Sequence, residues 1–245
     1  MEKISFKNSR NLNLAGNFSK ADSDKIIILC HGFTGDKSEW GRFTEAGKAL
    51  SREGFNVLAF DFSGCGESDD EALNSESFVD DLNCAIKWAK AKEMNRIGLL
   101  GLSLGGNIAC RVNAPEIITR VLWAPVTKAS NALEHQEKKD LKLLDENTYL
   151  RTRQSGVRKE IKISKQIFDY FTQVGQKELL LKVKTPVLIL HGDKDDNIPI
   201  EYSINAMHYL PDGSQLKIIK GADHEFADMV ERFVVPTVFW FKEKM

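Results

Sequence analysis

The run Ile97-Gly98-Leu99-Leu100-Gly101-Leu102-Ser103-Leu104-Gly105-Gly106 constrains this chain more than any other stretch. An apolar segment of strand length ends in Gly-x-Ser-x-Gly, and residues compatible with a helix follow. A serine hydroxyl is a weak nucleophile and needs both exposure and a positioned base. A tight strand-to-helix turn supplies the exposure: it lifts Ser103 clear and crowds the positions two before and two after it. Gly101 and Gly105 carry no Cβ to clash there. Gly106 and Ala109 extend a face of small residues, so the helix can pack close to the strand with its positive end beside the serine. The pentapeptide alone also occurs in plain turns. Here its flanks are those that a nucleophile turn demands.

The rest of the chain repeats that rhythm. Apolar runs at Ile26–Cys30, Asn56–Phe60, Ile97–Gly101, Arg120–Trp123, Val187–Leu190 and Leu216–Ile219 alternate with helical patterns. This predicts an α/β fold, a mainly parallel sheet covered by helices on both faces. Lys3–Lys7 and Leu12–Phe18 are expected to form an antiparallel edge hairpin turning at residues 8–11. Phe78, Leu82, Ile86 and Ala89 keep helical spacing, with Ser77 and Asp80 placed to form a capping box. Phe233-Val234-Val235, interrupted by Pro236, reads as a final helix against the core. Between Thr127 and Val183 the rhythm lapses: the segment is charged, has no strong β-run, and is too long for a simple crossover.

Composition narrows the function classes. A chain of 245 residues with 42% hydrophobic residues and net charge −1 suits one α/β domain with an insertion, and nothing in it points to nucleic acid or an anionic membrane. The N-terminus lacks the apolar run of a signal peptide, and no stretch reaches transmembrane length. The four cysteines (Cys30, Cys65, Cys84, Cys110) offer neither a zinc set nor a disulfide framework, so a cytoplasmic protein without metal is expected. Cys65, in a glycine-rich loop, is the one thiol expected to be exposed.

Further loops follow predicted strands. Leu29-Cys30-His31-Gly32-Phe33-Thr34-Gly35 ends a strand in a flexible turn, where His31 is expected to buttress the loop. Asp61-Phe62-Ser63-Gly64-Cys65-Gly66-Glu67-Ser68 reads as a structural turn; its two glycines do not make a nucleotide loop. His191-Gly192-Asp193-Lys194-Asp195-Asp196 offers three candidate acids. Of five histidines, His135 lies in the charged segment, His208 in a helical pattern, and His191 at the start of the acid loop. His224 follows the last strand on a loop.

Together, His-Gly-Phe, Asp-x-x-Gly-x-Gly-x-Ser, Gly-x-Ser-x-Gly-Gly, His-Gly-x-x-Asp-x-x-Ile-Pro and a late histidine resemble the α/β-hydrolase superfamily. Within it, His31-Gly32-Phe33-Thr34-Gly35 and a compact lid resemble bacterial feruloyl or cinnamoyl esterases. The resemblance implies a Ser103–His224–Asp195 triad, with Ile198-Pro199 setting the register of the acid. It implies an oxyanion hole from the amides of Phe33 and Leu104, and no cofactor. It also divides the chain into a core, 1–126 with 184–245, and a lid, 127–183, made of helices with a short hairpin. The implied reaction is hydrolysis of a small-molecule carboxylic ester, small or aromatic, through an acyl-enzyme. Lid aromatics such as Tyr149, Phe168, Tyr170 and Phe171 would wall the acyl pocket. A thioesterase, a monoacylglycerol lipase, a carbon–carbon bond hydrolase, a peptidase or a slow-turnover ligand receptor would use the same residues. Oligomeric state is not legible in the sequence.

Overall fold

A computed structural model describes residues 1–129, 141–152, 156–226 and 229–245. Its centre is an eight-stranded sheet in the order β1-β2-β4-β3-β5-β6-β10-β11. The strands are β1 (Glu2–Lys7), β2 (Asn13–Ser19), β3 (Lys25–Cys30), β4 (Asn56–Phe60), β5 (Arg96–Leu102), β6 (Ile117–Trp123), β10 (Val187–Gly192) and β11 (Gln215–Ile219). β1 and β2 pair antiparallel and attach antiparallel to β4; from β4 to β11 every pairing is parallel.

Strands buried on both faces need apolar residues at every position. In β3, Ile26, Ile28 and Cys30 enter one core layer while Ile27 and Leu29 enter the other. The first layer is covered by α2 (Ser75–Lys90) and α3 (Leu104–Arg111), through Phe78, Leu82 and Ile108. The second is covered by α1 (Arg42–Arg52) and the C-terminal α7 (Val230–Lys244), through Phe43, Leu50, Phe233 and Phe241. This last helix runs through Pro236 rather than stopping at it. The ring forgoes one backbone bond, and Phe233, Thr237 and Phe241 are buried on either side of it along the chain.

Topology locates the site. From β3 the chain crosses by α1 to β4, then returns by α2 past β3 to β5. That reversal leaves a crevice at the carboxyl ends of β3 and β5, where Cys30 pairs with Gly101, and ligands of open α/β sheets bind in such crevices.

The excursion between β6 and β10 is richer in strands than its sequence suggests. A three-stranded antiparallel sheet, β7 (Lys142–Asp145), β8 (Thr148–Thr152) and β9 (Glu160–Ser164), precedes α4 (Lys165–Gln173) and α5 (Gln176–Leu180). All four residues of β7 are exposed, so no burial alternation marks it. β9 bonds to the β4–α2 connection through Leu73 N to Lys162 O (2.9 Å) and Ser164 N to Leu73 O (3.1 Å). His135 lies outside the described residues.

Two local expectations are corrected. Helix α2 starts before Ser77, and its cap is Asn74, whose side chain accepts the Glu76 amide at 2.8 Å. Asp80 is instead engaged by Arg10 Nη1 (2.5 Å). Cys65 is fully buried, because its turn folds inward through Cys65 N to Phe62 O and Ser68 N to Cys65 O. The other thiols are buried as well, and burial pushes Cys110 up to about 11, which keeps it protonated at neutral pH.

Candidate active site

Ser103 sits at the turn between β5 and α3 with φ 52° and ψ −115°, a left-handed conformation rare for a side chain that is not glycine. The strain is held by Ser103 N to Trp123 O (2.8 Å) and Val126 N to Ser103 O (3.1 Å). The flanking glycines are required by space. A Cβ on Gly101 would lie 2.6 Å from the Gly105 carbonyl oxygen and from Gly106 atoms, and one on Gly105 only 2.0 Å from the Cys30 carbonyl oxygen. Those neighbours are backbone and cannot turn aside. Gly105→Ala is therefore expected to cost about 2–3 kcal/mol of stability by urea unfolding. A cost below about 0.5 kcal/mol would mean that the turn has slack that the structure does not show.

The acid loop follows β10. Asp195, its side chain fully buried, receives His224 Nδ1 on Oδ2 at 2.8 Å. Its Oδ1 accepts the amides of Asn197 (3.0 Å) and Ile198 (2.8 Å). His191 Nε2 lies 3.1 Å from the same Oδ2 and 3.0 Å from the Ile198 carbonyl, while its Nδ1 meets Ser203 Oγ at 2.6 Å. Since a carbonyl and a carboxylate only accept, Nε2 carries the proton and Ser203 donates to Nδ1. The expected structural histidine thus also donates to the acid, a link the sequence does not reveal. Burial pushes the Asp195 carboxyl up, but bonds from His191, His224 and Ile198 outweigh it and hold the group well below its ordinary 3.8.

That shift carries a sign. A carboxyl held low adds stability that is complete above its unfolded value and is lost as the pH falls through the folded one. The melting-temperature gap between wild type and Asp195→Asn is expected to narrow below about pH 4, near the unfolded value. A gap that widens there would contradict the network.

The two remaining acids lie elsewhere. Asp193 is exposed and accepts the Gly221 amide at 2.5 Å, and Asp196 is exposed. His31 is buried, with Nε2 accepting the Phe62 amide (3.1 Å) and Nδ1 on the Gly32 carbonyl (2.9 Å), so it buttresses its loop. His208 is exposed in the turn after α6 (Ile200–Ala206). Asp61 is buried under its turn and accepts the amides of Lys37 and Glu67.

Ser103 and His224 line one cleft with Phe33, Leu104, Val126, Phe171 and Asn197. Among the described residues neither the Phe33 nor the Leu104 amide donates to a protein acceptor. The cleft holds only about 20 Å³, room for a single water. Among the described residues, Phe171 is the excursion's one aromatic that lines it. Phe168 and Tyr149 stack behind, edge-on at 5.6 Å, and Tyr170 turns away to Asn107 Oδ1 (2.8 Å). Val126 and Asn197 line the cleft at positions that no motif marks. Arg151 stacks over the Phe33 ring at 5.2 Å and reaches Thr34 Oγ1 at 3.1 Å, while Arg158 pairs with Asp70 (3.1 Å). Among the described residues no cluster of three or more His, Cys, Asp or Glu could hold a metal, and no helix is long and apolar enough to cross a membrane.

The sheet order and a serine at the β5–α3 turn define an α/β-hydrolase. The chain belongs to the serine aminopeptidase, S33 family of hydrolases, whose pattern matches residues 21–167. The human protein ABHD12B is 30% identical over 192 residues, covering 74% of this chain, which spans about half (48%) of that protein's length. Human serine hydrolase BPHL is 26% identical over 254 residues, covering 87% of this chain and 80% of its own. Est1E from Butyrivibrio proteoclasticus, solved with ferulic acid bound, superposes with a TM-score of 0.79 at 21% identity, over 98% of each chain. At that identity the likeness is one of fold.

Proposed function

We propose that this chain is a serine esterase in which Ser103 is the nucleophile, His224 the base and Asp195 its orienting acid. The observation that carries the reading is His224 Nδ1 on the buried Asp195 carboxylate at 2.8 Å, beside a strained Ser103 in one cleft. With Nδ1 donating to Asp195, Nε2 is the ring's acceptor and can take the serine proton as Oγ attacks the acyl carbonyl. The Phe33 and Leu104 amides would hold the oxyanion, each worth about 3 kcal/mol in such sites. His224 then returns the proton to the leaving alcohol, and water activated by the same ring releases the acyl group. No step needs a metal or cofactor, so EDTA is expected to leave the rate unchanged. Loss of rate with EDTA, restored by a divalent ion, would contradict this.

The family's description raises aminopeptidase activity as a second reading. Recognition of a free ammonium calls for a carboxylate facing the substrate. Among the described residues the cleft lining offers none, and Asp195 is already committed to its four N–H donors. Esters are therefore favoured over N-terminal peptides.

The segment 127–183 acts as a lid whose Phe171, with Phe33, walls the acyl side. As it stands the cleft admits a water but no acyl group, so an acetyl group, or a larger hydroxycinnamoyl group like the ferulic acid bound to Est1E, enters when Phe171 swings aside. Initial rates are expected to rank p-nitrophenyl acetate and methyl ferulate above long-chain monoglycerides, acyl thioesters and peptide amides. Phe171→Ala is expected to raise kcat/KM for the ferulate about tenfold relative to the acetate, about 1.4 kcal/mol in the barrier. A panel won by thioesters or long-chain esters would overturn the substrate assignment.

A further inference from the structure

Two loops must keep a fixed separation for this chemistry: Gly32-Phe33 on one side of Ser103 and His224-Glu225 on the other. Both contain strained backbone, with φ 55° at Thr34 and φ 54° at Phe226. Such conformations persist only where the surroundings over-determine them. Among the described residues no strand pairing joins the two loops, and a side-chain bridge does.

Glu39, 1% exposed, accepts the Gly32 amide on Oε1 at 2.5 Å, one residue before Phe33. Its Oε2 receives Arg42 Nη2 at 3.1 Å. Arg42, 7% exposed, also donates Nε to the Glu39 carbonyl (3.0 Å). Its Nη1 reaches across to the Glu225 carbonyl (2.5 Å) and carboxylate (2.7 Å). The bridge therefore begins on a backbone amide of one loop and ends on a backbone carbonyl of the other, beside His224. Glu39 itself has φ 46°, and Gly35 leaves the space its carboxylate fills, since a Cβ there would stand 2.4 Å from Oε1.

We propose that Glu39 and Arg42 are positioning residues that clamp the oxyanion loop to the base loop; the catalytic consequence rests on the serine-esterase reading, the coupling of the loops does not. The planar fork of Arg42 is essential, because one ammonium cannot satisfy acceptors on both sides. A buried ion pair that merely filled space would affect stability and leave the two loops independent.

The test compares wild type, Arg42→Met and the neutral double variant Glu39→Gln/Arg42→Met by amide hydrogen exchange and ester kinetics. Burial pushes the Glu39 carboxyl up, and the double variant removes its charge outright. A melting curve checks that each protein folds. In Arg42→Met the peptides spanning 31–37 and 221–226 are both expected to exchange about tenfold faster while the β1–β2 hairpin is unchanged. The kcat for p-nitrophenyl acetate is expected to fall about tenfold to a hundredfold with KM within about threefold, because the oxyanion contact is made in the transition state. The double variant is expected to lose no more than Arg42→Met, as for two parts of one device. Loosening of one loop alone or of neither, or two loosened loops with unchanged kcat, would overturn the clamp. If wild type hydrolyses no ester, the esterase reading falls, and the paired exchange still decides the clamp.

Discussion

Asp195→Asn is expected to lower kcat for an activated ester by about 10⁴-fold, the scale seen when a triad acid becomes an amide. The carboxylate accepts four N–H groups: Asn197 and Ile198 on Oδ1, His191 and His224 on Oδ2. An asparagine cannot accept at both atoms. If its NH₂ replaces Oδ2, it faces two donors, and relief requires His224 to move its proton to Nε2. That tautomer cannot take a proton from Ser103. If its NH₂ replaces Oδ1, it faces two backbone amides that cannot rearrange. Asp193→Asn and Asp196→Asn are expected to stay within about tenfold, as changes away from the reacting groups. Asp193→Asn as the most damaging of the three would show that the acid has been placed in the wrong register.

Ser103→Ala is expected to cost on the order of 10⁶ in kcat, comparable with removal of a nucleophile from a triad that works as a unit. It is expected to leave the melting temperature unchanged. Among the described residues the Ser103 side chain makes no hydrogen bond that holds the turn; the bonds that do are backbone, from Ser103 N to Trp123 O and from Val126 N to Ser103 O. Alanine meets the same left-handed penalty as serine at φ 52°, so the strain is unaltered. Loss of activity is thereby separated from loss of fold.

The fold was legible because its signals are local. β3 and β4 carry unbroken apolar runs, and β3, β5 and β10 are buried along almost their whole length, so periodicity and turn residues mark them. Ser103 and Asp195 sit on loops after two such strands, and His224 follows the shorter, mostly exposed β11, so their order is set without any knowledge of contacts. Signals that depend on tertiary packing were not legible. β7 is exposed throughout and shows no alternation. Ser77 and Asn74 are both competent caps, and the Arg10–Asp80 pair helps decide between them from far away in the sequence. Cys65 is buried by a turn that reads as open. The Arg42–Glu225 and His191–Asp195 contacts join charged or polar residues whose types are ordinary on any surface. Only the burial of Arg42, His191 and Asp195 marks them as built.

In the proposed mechanism Ser103 is a nucleophile activated by His224, whose ring Asp195 holds. Peptide mapping of the adduct formed with a fluorophosphonate ester tests it most directly, since the reagent bonds only to an activated serine. One phosphonyl group per chain is expected, on the peptide carrying Gly101-Leu102-Ser103-Leu104-Gly105, with no adduct in Ser103→Ala and strongly slowed labelling in Asp195→Asn. An adduct on another serine, or undiminished labelling of Ser103→Ala, would contradict it.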